Sequence, residues 1–126
     1  MTMTNAVSSI YLNNWQTISS SEEVNNGLAN ADVNQILVFY FGYDGCAGCE
    51  NIKVWLNGLP NNYPNGVFCQ VIIPSELYSN HPFFAGVGVF PSFMVFKNFP
   101  TVKKQVAFIT GSDTNNIVTQ INKWYQ

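Results

Sequence analysis

Ile36 to Phe41 is an unbroken run of six apolar or aromatic residues, rich in β-branched and ring side chains, and Gly42 closes it. A run this short and this apolar predicts a strand covered on both faces. After the turn chemistry of Asp44 and Gly45 the period changes. Ile52, Trp55, Leu56 and Leu59 recur at the spacing of one helical face, and Gly58 and Pro60 bring that helix to a close. Upstream, Val7 to Leu12 alternates weakly and predicts a first, edge strand. Ser20 or Ser21, followed by Glu22 and Glu23, supplies a hydroxyl cap and first-turn acids for a helix. That helix carries Val24 and Leu28 inward and stops near Asn30.

Downstream, Pro60 to Gly66 is turn chemistry throughout, and Val67 to Ile73 predicts a second buried strand ended by Pro74. Ser75 to His81 predicts a short helix. Phe83 to Val89 is a glycine-broken loop leading to Phe90-Pro91; its GVG has no helix after it, which argues against a phosphate loop. Ser92 to Lys97 and Lys103 to Ile109 predict a hairpin joined by Asn98 to Val102. Thr110-Gly111-Ser112-Asp113 then caps a last helix with Ile117, Val118, Ile121 and Trp124 on its inner side. There is no internal repeat or linker, so residues 1–126 are expected to form one domain.

The candidate chemistry lies where the apolar strand meets the helix. Cys46-Ala47-Gly48-Cys49 places two cysteines in the first turn, the arrangement of a dithiol redox site. A thiolate, not a thiol, attacks a disulfide, and a helix N-terminus stabilises an anion through unpaired N–H groups and the dipole. Cys46 is expected at the exposed helix end as the attacking group, and Cys49, one turn inside, as the resolving one. A zinc site is the alternative, but it needs about four ligands. Only Cys69, inside a strand, and His81, before Pro82, remain to supply them. Cys69 is expected to be a small buried hydrophobe, and His81 a loop or helix-end residue.

These residues together resemble the thioredoxin-fold family. The matching pieces are the strand ILVFYF, CAGC at a helix start, and the later GVGVFPSFMVFKN, and the likeness covers most of the chain. The resemblance implies an α/β thioredoxin fold: a mixed central sheet of about five strands flanked by about four helices. It implies that Pro91 is a cis-proline facing the dithiol and that the backbone of Phe90 pairs with an extended substrate. It also implies a substrate face including Gly45, Ala47 and Gly48, with Tyr43 and Asp44 on the rim. The chain departs from the family in two ways. The usual Trp-Cys-Gly-Pro-Cys is Gly45-Cys46-Ala47-Gly48-Cys49 here. The buried aspartate aligns with Tyr40, and the accompanying lysine falls near Val71.

The expectation is a thiol-disulfide oxidoreductase that reduces protein disulfides, with no bound cofactor and no metal. Its partners would be disulfide-containing proteins and a reductase that regenerates the dithiol. Neither Ala47 nor Gly48 is the histidine or proline of more oxidising relatives, which favours reduction. The alternatives are a disulfide oxidase or isomerase of an oxidising compartment, and a protein-binding module with slow turnover. A charged fraction of 10% and a net charge of −2 give no electrostatic reason to expect nucleic acid or membrane as partner. With three cysteines and no basic or apolar leader, a cytoplasmic, monomeric protein is expected.

Overall fold

The computed structural model describes residues 11–73 and 86–125. Its elements are β1 (Gln16–Thr17), α1 (Ser21–Ala29), β2 (Ile36–Tyr43), α2 (Ala47–Gly58) and a 3-10 turn (Leu59–Asn62). They continue with β3 (Val67–Ile73), β4 (Ser92–Asn98), β5 (Lys103–Thr110) and α3 (Thr114–Trp124). The five strands form one sheet in the order β1-β3-β2-β4-β5. β1, β3 and β2 run parallel, β4 pairs antiparallel to β2, and β5 pairs antiparallel to β4.

β2 is the centre of this sheet because it can be buried on both faces. Ile36, Val38 and Tyr40 join the cluster that contains Ile52 and Leu56 of α2 and Ile117 and Ile121 of α3. Leu37, Phe39 and Phe41 join the opposite cluster, with Val24 and Leu28 of α1. The period-2 alternation of a strand therefore divides one apolar run between two cores. Helices on both faces are what a parallel sheet of this kind requires.

The helix starts follow from their caps. Ser20 Oγ accepts the N–H of Glu23 at 3.2 Å, and the Glu23 carboxylate reaches back to the N–H of Ser19 at 2.6 Å. Asp113 accepts the N–H groups of Asn115 and Asn116 at the start of α3.

The strand expected over Val7 to Leu12 falls mostly outside the described residues. Tyr11 and Leu12 belong to no strand, residues 7–10 lie outside the described residues, and the edge strand is Gln16–Thr17. The described segment before α1 is held by Gln70, a buried polar side chain in the middle of β3. Its Oε1 accepts the Leu12 N–H at 2.6 Å, and its Nε2 donates to the carbonyls of Leu12 and Trp15 at 3.0 and 3.3 Å. With its polar groups taken by that side chain, the segment enters the ladder only at Gln16, opposite Cys69. Trp15 then fixes the segment to α2, donating from Nε1 to the Leu56 carbonyl at 2.8 Å. Three α-helices lie among the described residues. The helix expected over Ser75 to His81, most of the Phe83 to Val89 loop, and His81 itself lie outside them.

Candidate functional site: a dithiol facing a cis-proline

β2 ends at Tyr43, and the chain turns through Asp44 and Gly45 into α2. Gly45 has φ +95°, a left-handed conformation that costs glycine little and other residues more. The turn is closed by the Cys46 N–H, which donates to the Tyr43 carbonyl at 3.3 Å. Cys46 is thereby the N-cap of α2, in extended backbone geometry. Its sulfur accepts the N–H of Cys49 at 3.1 Å, satisfying one of the unpaired donors of the helix start.

Cys46 and Cys49 are joined as a disulfide, with Cα atoms 5.2 Å apart. The helix start expected from the sequence is present, but the expected difference in exposure is not. Cys46 is 3% exposed and Cys49 7%. The Cys46 sulfur is drawn inward as cap and disulfide partner, and it packs in the same cluster as Tyr40, Ile52 and Phe93. Helix position, rather than accessibility in this oxidised state, distinguishes the two sulfurs.

Three segments meet at the pair. The Phe90–Pro91 bond is cis. A side chain at Gly48 would place its Cβ 3.1 Å from Pro91 Cδ and 3.8 Å from Ser112, so glycine lets the helix start approach both. The Gly111 N–H donates to the Pro91 carbonyl at 2.8 Å, and the buried Ser92 hydroxyl donates to the Val89 carbonyl. Phe90, half-buried, stacks edge-on against the exposed Tyr43 ring at 5.1 Å. Gly45 and Ala47 are exposed beside the pair.

Gly48, between the two cysteines, thus lies directly against Pro91. Gly111 and Ser112 are the additions. From sequence they mark only the start of the last helix, and only the β4–β5 pairing of Ser92 with Thr110 carries them to the dithiol.

Tyr40 lies behind the pair, 2% exposed, in edge contact with Trp15 and tilted against Phe93. Burial first, and the Glu50 charge second, push its pKa up to about 12. It is a neutral phenol where the family carries a carboxylate, and no Asp or Glu among the described residues is buried. Its ring also explains Gly42, because a Cβ there would stand 2.8 Å from Tyr40 Cζ and closer still to the hydroxyl. Cys69, the remaining cysteine, is buried in β3, and burial pushes its thiol up to about 12.

No protein-family model matches the sequence, and no curated protein matches it. Solved structures do. Thioredoxin O2 from Arabidopsis thaliana, in its oxidised state, is 29% identical with a TM-score of 0.70, over 89% of this chain and 95% of that one. Thioredoxin O1 from the same plant is 23% identical with a TM-score of 0.74, over 90% and 100%. A thioredoxin from Nicotiana alata is 18% identical with a TM-score of 0.76, over 92% and 96%. A cystine at a helix N-cap, set against a cis-proline in this sheet, defines the class of thiol-disulfide oxidoreductases. The chain has the thioredoxin fold and is similar to these thioredoxins over most of its length.

Proposed function

We propose that this protein is a thioredoxin-like reductant of protein disulfides. The observation that carries the reading is the Cys46 sulfur at the N-cap of α2, accepting the Cys49 N–H, where a thiolate would gain both a hydrogen bond and the helix dipole. In the proposed cycle the Cys46 thiolate attacks one sulfur of a substrate disulfide. The substrate S–S bond breaks as the mixed disulfide forms, and the leaving thiolate is protonated from solvent. Cys49 then gives up its proton and attacks Cys46, releasing the second substrate thiol and leaving the Cys46–Cys49 disulfide. Two electrons pass to the substrate, and a separate reductase returns two to the protein.

Gly45, Ala47, Gly48 and the Phe90 backbone would form the docking face beside Pro91, on the pattern of strand-like pairing to an extended segment. A monomer working in a reducing, cytoplasmic setting fits this direction of electron flow. The family's buried aspartate is absent, so Cys49 would lose its proton without a carboxylate behind it.

The test is turnover of a protein disulfide, with insulin as substrate and each cysteine replaced in turn. Cys46→Ser should abolish reduction. Cys49→Ser should accumulate a mixed disulfide visible on a non-reducing gel. Faster alkylation of Cys49 than Cys46 in the reduced protein would reverse the two roles. A measured reduction potential well above that of reducing thioredoxins, about −270 mV, would favour oxidation instead.

A further inference from the structure

The charged side chains sort by the end of the sheet they occupy. β2 delivers the chain to Cys46, so its C-terminal end is the disulfide end, and β4 begins there at Ser92, opposite Thr110 of β5. β1 lies parallel to β2 through β3, so α1, which follows it, also starts at that end. α2 and α3 start there too. Glu22, Glu23, Asp44, Glu50 and Asp113 consequently stand at the disulfide end. Lys97, Lys103, Lys104 and Lys123 stand at the other, where Lys97 Nζ donates to the Trp124 carbonyl at the end of α3. Among the described charged residues only Lys53, midway along α2, and Asp32, before β2, depart from this division.

Acids at helix starts have an ordinary structural use, and that accounts for part of the pattern. Three helix N-termini contribute together roughly +1.5 charge at about +0.5 each, against five carboxylates, so this end stays strongly negative. Asp44 is not in any helix. It lies exposed on the turn two residues before Cys46, where no helix needs it. Glu50 follows Cys49 directly, and Asp113 adjoins Ser112, which faces Gly48. Asp44, Glu50 and Asp113 therefore lie beside the disulfide on its own face of the sheet, while Glu22 and Glu23 add charge from the far face, and the rim includes the apolar pair Tyr43 and Phe90.

We infer that the disulfide end is a docking surface for cationic disulfides, that is, substrate segments whose cystine is flanked by lysine or arginine. This deepens, and rests on, the reading of the dithiol as a reductant. The acidic border attracts such a segment over a Debye length and disfavours an acidic one, while the apolar border takes the contact at the sulfur. The opposite, lysine-bearing end orients the molecule in the same field, so the dithiol faces a cationic partner on approach.

The experiment follows the oxidation of fully reduced protein by three small disulfides: cystamine (cationic), bis(2-hydroxyethyl) disulfide (neutral) and 3,3′-dithiodipropionate (anionic). Each rate is divided by that of dithiothreitol with the same disulfide and salt, which removes intrinsic reactivity. At low ionic strength the normalised cationic-to-anionic ratio should be roughly tenfold, and it should fall toward one as salt shortens the Debye length. The triple variant Asp44→Asn, Glu50→Gln, Asp113→Asn should lose most of the preference, with asparagine still able to cap α3. Asp32→Asn, at the opposite end, should keep it. A ratio at or below one, or a preference unchanged in the triple variant, would overturn the inference while leaving the reductase reading in place. Failure to react with any of the three would overturn both.

Discussion

Tyr40 departs from the carboxylate of the thioredoxin pattern, and the structure couples it to Gly42. They lie two apart on one strand, on the same face, and the Tyr40 ring fills the space a Gly42 side chain would need. Gly42→Ala should therefore destabilise by about 1–3 kcal/mol, the usual cost of overpacking. Tyr40→Leu in the same protein should return part of that loss, and denaturant unfolding of both single variants and the double variant measures the coupling. The chemical consequence of Tyr40 is separate. A phenol held near pKa 12 is protonated at neutrality and cannot accept the Cys49 proton. Tyr40→Asp is expected to speed breakdown of the mixed disulfide and lower stability, since it buries a carboxyl group where a ring packed. An unchanged breakdown rate would show that solvent or another group takes that proton.

At the scale of elements, the segment before α1 is held by side chains more than by ladder bonds. β1 contributes two residues, whereas Gln70 alone satisfies Leu12 on both backbone groups and adds the Trp15 carbonyl and the Thr17 hydroxyl. Gln70→Leu keeps the apolar bulk and removes these bonds. It is expected to cost about 1–3 kcal/mol for each buried backbone group left unpaired. The dithiol sits on other elements, so its exchange rate with small disulfides should stay near that of the parent protein. Hydrogen exchange at Leu12 would report the loss locally. Protection there equal to the parent's would show that Trp15 and its bond to Leu56 hold the segment without Gln70.

At the scale of the molecule, two acidic groups buried in the protonated form tie stability to alkaline pH. Cys69 rises from 9.0 to about 12 on folding and Tyr40 from 10.0 to about 12, both chiefly by burial. Between pH 9 and 12 the unfolded chain gives up protons that the folded one keeps, so stability falls as pH rises through this window. Each group contributes a slope of roughly 1.4 kcal/mol per pH unit once its unfolded form ionises, levelling near 12. Neither group affects stability around neutrality. With the oxidised protein, so that Cys46 and Cys49 do not titrate, Cys69→Ala should remove the part of the slope that begins near pH 9. Parallel curves for parent and variant across that range would contradict the assignment.

The apolar run at β2, the switch of period at Cys46 and the cap residues were enough to read an α/β chain with a dithiol at a helix start, because local sterics and hydrophobic period act over a few residues. The cis Phe90–Pro91 bond and its place beside the cysteines were legible only through likeness to a family, since residues more than forty apart carry no mutual local signal. Three things were decided by the tertiary structure. Gln70, a polar residue inside an apolar strand, holds the segment from Leu12 to Thr17 against β3, because buried amides must find partners wherever the chain can bring them. Cys46, expected to be exposed, is buried because its sulfur serves as cap and disulfide partner at once. The sorting of acids and lysines to opposite ends has no signature along the chain, since it depends on which end of the sheet each helix and strand begins. Charge acts through space, and only the order β1-β3-β2-β4-β5 sets those distances.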